Sequence, residues 1–201
     1  ESQVDERYLL EWLSSNAARG YVTYDDDRQL FSLSPEQAAV FARENEPTCI
    51  QGLIQGVVGQ FVNQDTAIDV FQTGRGRPWG EHHECCFCGT ERFFRPAYAT
   101  HLLEEWIPAL EGVEEKLRNG AKVADIGCGL GTSSILMAEN FPNSIIHAYD
   151  FHAPSIEEAR KRAESQGLKN VEFFVADAAD LSNEGCLLYK SDAADELLGV
   201  D

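Results

Sequence analysis

Apolar positions follow two periodicities along the chain, and the change comes near residue 121. Before it, spacings of three and four residues predict amphipathic helices, as in the series Tyr98, Leu102, Leu103, Trp106, Ile107 and Leu110. After it, short apolar runs at 121–126, 144–149 and 171–176 alternate with helical segments at 133–141 and 155–165. This alternation predicts βαβ units with right-handed crossovers and a parallel sheet.

The first 40 residues predict a helix, a β-hairpin and a second helix. The first helix follows from the helical spacing of Tyr8, Leu9, Trp12 and Leu13. Short strands are expected at 21–24 and 29–33. Ser34 and Pro35 then predict a helix start, because serine caps helices and proline suits their first turn. This order resembles the back half of a winged-helix domain.

The charge of this segment distinguishes DNA binding from the other roles of a winged-helix domain. The chain has 16 Lys and Arg against 34 Asp and Glu, a net charge of −18. Residues 1–50 hold ten acids (1, 5, 6, 11, 25, 26, 27, 36, 44 and 46) and four arginines (7, 19, 28 and 43). Because DNA and RNA phosphates are met by clustered cations, we favour a dimerisation or substrate-lid role and expect no nucleic-acid partner.

Glycines and a linker mark the middle of the chain. Gly52, Gly56 and Gly59 recur at spacings of four and three, which permits close helix packing in a core or a dimer. The Gly/Pro-rich stretch 73–80 follows. We expect four segments: a partial winged-helix and dimerisation domain at 1–72, a linker with pocket-lining helices at 73–120, half of a ligand-binding domain at 121–185, and a tail at 186–201.

Histidines and cysteines cluster at the start of the second segment, as His82, His83, Cys85, Cys86 and Cys88. These are zinc-ligating residue types, but structural zinc sites use two separated ligand pairs. No second pair follows downstream in the sequence, so we expect no metal and place the cysteines beside a pocket. The next stretch, GTERFFRP at 89–96, is amphipathic and suits a pocket mouth or a helix entry.

A glycine turn follows the first run of the predicted sheet. Residues 123–134 read VADIGCGLGTSS, with Gly127, Gly129 and Gly131 between a strand and a helix. A residue without a Cβ lets the backbone approach a ligand closely. Parallel sheets bind ligands beyond the carboxyl ends of their strands, where Asp150 and Asp177 follow the next two strands.

Two departures from the dinucleotide-binding pattern G-x-G-x-x-G argue against a dinucleotide as the ligand. Thr132 stands in place of the last glycine, and the charged Asp125 lies two residues before the first. S-adenosylmethionine fits better: Asp125 suits its amino group, and the helix N-terminus suits its carboxylate. Asp150 can accept from both ribose hydroxyls. Asp177 can accept from the adenine amino group, with Phe151 packing on the ring. The alternative for the three acids is helix or turn capping.

These residues resemble the class I S-adenosylmethionine-dependent methyltransferases. Together with WIPALEGVEEKLRNGAKVADIGCGLGTSS and AYDFHAPSIEEAR, the GTERFFRP stretch looks like the bacterial group with an N-terminal winged-helix domain. The resemblance implies an α/β fold, a truncated Rossmann-like parallel sheet preceded by a partial winged-helix, mostly α domain. The cofactor-binding residues that we expect are Asp125, Gly127, Cys128, Gly129, Gly131, Thr132, Asp150, Phe151, Asp177 and Ala178.

The expected activity is methyl transfer from S-adenosylmethionine to a small-molecule acceptor by direct displacement. His82, His83 and His152 are the candidate bases for an oxygen or nitrogen acceptor. A transcription regulator with a small-molecule-sensing α/β domain is the main alternative, and a nucleotide-dependent dehydrogenase is a weaker one. We expect a cytoplasmic protein with no membrane partner. Its N-terminal domain is a candidate surface for homodimer formation.

The chain is expected to be a fragment. It begins with Glu1, and the stretch CLLYKSDAADE at 186–196 resembles a translated sequencing adapter, so we exclude the tail from fold reasoning. The family sheet has about seven strands and three are evident here. The third strand is therefore expected to lack neighbours, leaving an unpaired edge and a poorly stable, inactive chain.

Overall fold

The computed structural model describes residues 3–180, so the predicted tail at 186–201 lies outside the described residues. Two compact units are present, one ending at Gln51 and the other beginning at Gly52. The predicted α/β fold class is confirmed, and the boundary near residue 72 stays a prediction. Within residues 3–180, no helix is both long and apolar enough to cross a membrane.

The N-terminal unit has the predicted order of elements. Asp5 begins the first helix by accepting hydrogen bonds from the backbone N–H groups of Arg7 and Tyr8. Ser34 and Gln37 form a capping box at the second helix. The elements are α1 (Glu6–Ala18), β1 (Thr23–Asp25), β2 (Leu30–Ser32) and α2 (Pro35–Phe41), with β1 and β2 antiparallel.

The apolar residues of this unit are poorly covered. Tyr24 packs on its cross-strand partner Phe31, with ring centroids 4.7 Å apart. Yet Tyr8 is 75% exposed, and among residues 3–51 Cys49 is the one buried hydrophobic residue. The unit therefore presents apolar surface that it does not bury itself.

The second unit opens with helices. They are α3 (Gln51–Val62), α4 (Gln64–Thr73), a single 3₁₀ turn (Trp79–Glu81), α5 (Glu84–Ala97), a π-helical segment (Tyr98–Trp106) and α6 (Val113–Asn119). Stretch 89–96 thus lies within α5 rather than at a helix entry. Pro96 lacks an N–H and crowds the preceding turn, and the backbone widens into the π-helical segment two residues later.

Glycines bring α3 and α5 into backbone contact. A Cβ on Gly52 would lie 2.3 Å from the backbone nitrogen of Phe93. A Cβ on Gly89 would lie 2.4 Å from the backbone nitrogen of Gly56. The predicted use of the glycine stripe for close helix packing is confirmed, and the partner is α5.

A three-stranded parallel sheet follows, in the order β3-β4-β5. Its elements are β3 (Lys122–Ile126), α7 (Thr132–Asn140), β4 (Ile145–Asp150), α8 (Ala153–Ser165) and β5 (Val171–Val175). One face, carrying Val123, Ile146 and Phe173, joins the core with residues of α6, α7 and α8. The opposite face carries the stacked rings of Tyr149 and Phe174, with centroids 5.1 Å apart.

The third strand keeps a partner. β5 pairs with β4 from Val171 to Val175, and the expected unpaired edge on its other side stays a prediction. Its backbone is also contacted by the Arg160 guanidinium, which donates to the Phe173 carbonyl. Within residues 3–180, β3 and β5 are the two outer strands, and β3 is the one that carries the glycine turn.

Candidate functional site

The glycine turn connects β3 to α7 in left-handed backbone conformations. Gly127, Gly129 and Gly131 have φ values of +79°, +53° and +77°. Glycine takes these values without the steric cost that a Cβ brings. The backbone N–H groups of Gly127 and Cys128 both donate to the Tyr149 carbonyl, at 2.8 and 3.0 Å, so the turn is fixed against the end of β4.

The three glycines differ in their surroundings. A Cβ on Gly127 or Gly129 would meet no heavy atom of the described chain within 4 Å. A Cβ on Gly131 would lie 2.8 Å from Phe173 Cε1 and 2.9 Å from Ala159 Cβ. The first two glycines therefore border open space that a ligand can fill, while the third packs on the core.

Asp150 joins the turn to the next loop. One carboxylate oxygen accepts from the Gly129 N–H at 2.9 Å, and the other accepts from the His152 N–H at 2.8 Å. The side chain is half-buried at the carboxyl end of β4. The structure thus brings two predicted cofactor residues, Gly129 and Asp150, into direct contact beside the open space.

The residues predicted for the adenine end lie at the same edge of the sheet. Phe151 follows β4 and is 55% exposed. Asp177 and Ala178 follow β5 and are also exposed, and the Asp177 carboxylate accepts from the Ala179 N–H at 2.9 Å. The Ala176 N–H donates to the Asp150 carbonyl, which ties the two loops together.

Asp125 is buried beneath the start of α7. It is 2% exposed, and its Oδ2 accepts from the hydroxyls of Ser133 and Ser134, both at 2.7 Å. Both serines are buried in the first turn of α7. The carboxylate therefore holds the start of that helix. The sequence analysis did not single out these serines, although two adjacent hydroxyl residues in the first turn of the helix after the glycine turn indicate such contacts.

Glu91 is a second carboxylate at the turn, and sequence reasoning did not assign it to the cofactor. It lies on α5, and its Oε1 accepts from Thr132 Oγ1 at 2.9 Å. Arg162 and Arg95 also contact Oε1, at 3.3 and 3.7 Å. The Glu91 side chain is only 12% exposed. One carboxylate thus connects α5, α7 and α8 at the predicted cofactor residue Thr132.

The three candidate bases make different contacts. His152 stacks on Phe87 with ring centroids 4.6 Å apart, and its Nδ1 is 2.7 Å from Ser155 Oγ. His83 caps α5 by accepting from the Cys85 N–H. Burial, and then the charge of Arg77, lowers the pKa of His82 below its usual 6.5. Their catalytic roles stay predictions.

The cysteines near these histidines are thiols. No disulfide forms among the cysteines of the described chain. Burial raises the pKa of the Cys86 thiol, and burial followed by the charge of Glu84 raises that of Cys88. Among residues 3–180, no group of three His, Cys, Asp or Glu side chains is arranged to hold a metal ion.

A groove of about 270 Å³ opens between α3 and α5. It is lined by the glycines of the helix contact and mainly by apolar and aromatic residues, including Leu53, Val57, Trp79, Phe93 and Phe94. Its two polar side chains are Gln60 and Thr90. Such a lining suits a hydrophobic small molecule.

Fold and sequence comparison agree on the class of domain. Residues 117–194 match the family described as Methyltransferase domain, and residues 1–43 match the Rv2258c-like winged HTH domain. These two matches agree with the predicted order of a winged-helix domain followed by a methyltransferase domain, and the fold is that of solved O-methyltransferases, with TM-scores of 0.58 and 0.60.

Two particular relatives are methyltransferases by name. The chain is 42% identical over 60 residues to the aklanonic acid methyltransferase DauC of Streptomyces sp. (strain C5), covering 29% of this chain and 27% of DauC. Mitomycin 7-O-methyltransferase MmcR aligns with a TM-score of 0.60 at 18% identity, over 87% of this chain and 52% of that one. PigF with SAH aligns at 0.55 and 16%, over 83% and 51%. The chain thus spans about half of these structures and about a quarter of DauC.

Proposed function

We propose that the protein transfers a methyl group from S-adenosylmethionine to a small-molecule acceptor. The observation that carries the proposal is the glycine turn, where Gly127 and Gly129 leave open space beside the Asp150 carboxylate. The match to a methyltransferase domain supports it. So does PigF, which has this fold and was crystallised with SAH, the demethylated form of the cofactor.

The residues suit the carboxylate, the ribose and the adenine of the cofactor. Backbone at Gly127 and Gly129 can approach it closely, and the N-terminus of α7 suits its carboxylate. Asp150 has the chemistry to accept from ribose hydroxyls, while Asp177 and the exposed ring of Phe151 suit the adenine. The bound cofactor supplies an activated methyl group on its sulfonium. The chain's task is then to orient the acceptor behind that group.

The acceptor that we propose is a small, largely apolar molecule. The groove between α3 and α5 has a suitable lining, and DauC and MmcR act on aklanonic acid and mitomycin by name. The net charge of −18 opposes a nucleic-acid acceptor. His82, His83 and His152 remain the candidate bases, and a cytoplasmic location remains part of the proposal.

Self-association through the N-terminal half is a further part of the proposal. Large apolar side chains stand in solvent on α1, α3 and α4, including Trp12 at 60%, Phe61 at 72% and Phe71 at 91% exposure. Monomeric proteins rarely leave this much apolar surface uncovered. Sedimentation equilibrium distinguishes the cases: wild type is expected to be a dimer, and Phe61→Asp with Phe71→Asp is expected to be a monomer.

DNA binding is the alternative function, and the match to a winged-helix domain is the observation that supports it. The ten acids against four arginines in residues 1–50 oppose it. A salt-dependent mobility shift of duplex DNA at micromolar protein would favour a regulator. We expect no shift.

Calorimetric titration with S-adenosylhomocysteine tests the main proposal. Asp150→Ala removes an acceptor for two hydroxyls, each charged hydrogen bond being worth about 1.5–3 kcal/mol, so affinity is expected to fall about 100-fold or more. Asp65→Ala, an exposed acid in the first turn of α4, is the matched control and should bind like wild type. No heat from wild type, or equal binding by Asp150→Ala, contradicts the proposal.

A further inference from the structure

A carboxylate is a favourable partner for the cationic amino group of the cofactor, and the sequence suggested Asp125. In the structure that carboxylate is buried, and its Oδ2 already accepts two serine hydroxyls. A carboxylate that is 2% exposed and already accepts two hydroxyls is less accessible to a ligand than one that is 12% exposed, as Glu91 is. Provided that the proposed function holds, a less buried carboxylate that contacts the turn is the better candidate for that amino group.

Glu91 contacts the end of the turn from α5. Its Oε1 accepts from the hydroxyl of Thr132, the residue that directly follows Gly131 and begins α7. Phe87, one helical turn earlier on α5, stacks on His152, two residues after Asp150. Because Phe87 and Glu91 share one face of α5, this helix contacts both loops that border the open glycines.

The Glu91 carboxylate has capacity for another donor. Its contacts with Thr132, Arg162 and Arg95 all use Oε1. A carboxylate offers about four lone-pair positions on two oxygens, so Oε2 can accept a further N–H. Arg162 is also shared with Glu158, at 3.3 Å, so Glu91 is not held in an exclusive ion pair.

We propose that Glu91 binds the cationic amino group of S-adenosylmethionine, and that Asp125 is a positioning residue that fixes the first turn of α7. The first assignment rests on the proposed function, and its residue lies outside the matched methyltransferase segment 117–194. In this arrangement α5 supplies one wall of the cofactor site, with Glu91 and Phe87 as its contacts.

Two ligands that differ at one end test the proposal on the full chain. S-adenosylhomocysteine carries the amino-acid tail, whereas 5′-methylthioadenosine keeps the adenine, ribose and sulfur but lacks that tail. Calorimetry on Glu91→Gln should show affinity for S-adenosylhomocysteine reduced about tenfold or more, with affinity for 5′-methylthioadenosine within about twofold of wild type. Glu84→Gln, an exposed acid on the same helix, should leave both affinities unchanged.

The other outcomes are also decisive. Equal losses for both ligands, or no loss for either, overturn the Glu91 assignment. Failure of wild type to bind either ligand overturns the proposed function itself. If Glu91→Gln does not fold, Glu91→Asp replaces it, since its shorter side chain keeps the charge and should show the same selective loss. Asp125→Asn should lower the unfolding midpoint and weaken both ligands alike, and a selective loss for S-adenosylhomocysteine there would return the role to Asp125.

Discussion

Replacement of Gly131 by alanine separates a structural glycine from the ligand-facing ones. An alanine at φ +77° carries a left-handed backbone cost of about 1–2 kcal/mol. Its Cβ would also lie 2.8–2.9 Å from Phe173 and Ala159, well inside the optimal separation, and overpacking of this kind costs about 1–3 kcal/mol. Gly131→Ala is therefore expected to destabilise the second unit by about 2–5 kcal/mol, against about 1–2 for Gly129→Ala.

Urea unfolding followed by tryptophan fluorescence measures this difference. The chain has three tryptophans, and in a Trp12→Phe background the remaining two, Trp79 and Trp106, report on the second unit. With a urea dependence of about 2 kcal/mol per molar, Gly131→Ala should lower the midpoint by about 1–2.5 M. Equal midpoints for Gly131→Ala and Gly129→Ala would refute the reasoning. Loss of S-adenosylhomocysteine binding by Gly131→Ala at an unchanged midpoint would place Gly131 against the ligand instead.

Two further predictions concern the helices and the histidine cluster. Gly52→Ala should lower the free energy of unfolding by about 2 kcal/mol or more, because its Cβ would meet backbone on α5. The control is Gly56→Ala, whose Cβ meets no described atom within 4 Å. It should be neutral or stabilising by up to about 1 kcal/mol. Because the pKa of His82 is lowered in the folded state, the unfolded chain binds the proton more readily, and stability should fall as pH drops below 6.5. Urea midpoints at pH 5.5 and 7.5 should therefore differ less in His82→Gln than in wild type, and an unchanged difference would contradict this.

Local sequence patterns predicted the elements of the fold well. The strand at Lys122–Ile126, the turn and α7 are set by residues adjacent in sequence, as is the Ser34 cap. The amphipathic stretch 89–96 was expected at a pocket mouth or a helix entry; it lies inside α5, which continues past Pro96 into a π-helical segment, and Phe93 and Phe94 line the groove. Elements are local, and so a single sequence carries most of the information that defines them.

The site was predicted less completely because its contacts are not local. Glu91 and Thr132 are 41 residues apart, and no spacing rule links a residue on α5 to the start of α7. The face of the sheet on which the Asp125 side chain lies, by contrast, could have been inferred. It lies two residues after Val123 in a strand, and alternation places both on the same, buried face. Its charge suggested a ligand, while its position in the strand indicated the core.

The burial of Asp125 is consistent with a binding turn that is formed before the ligand arrives. Its bonds to Ser133 and Ser134 fix the first turn of α7, where free backbone N–H groups favour an anion. Gly131 locks the same turn against Phe173, and Asp150 holds the Gly129 N–H. A turn held on its inner side by packing and hydrogen bonds leaves Gly127 and Gly129 open on the outer side. Less ordering is then required when a ligand binds, so more of the contact energy appears as affinity.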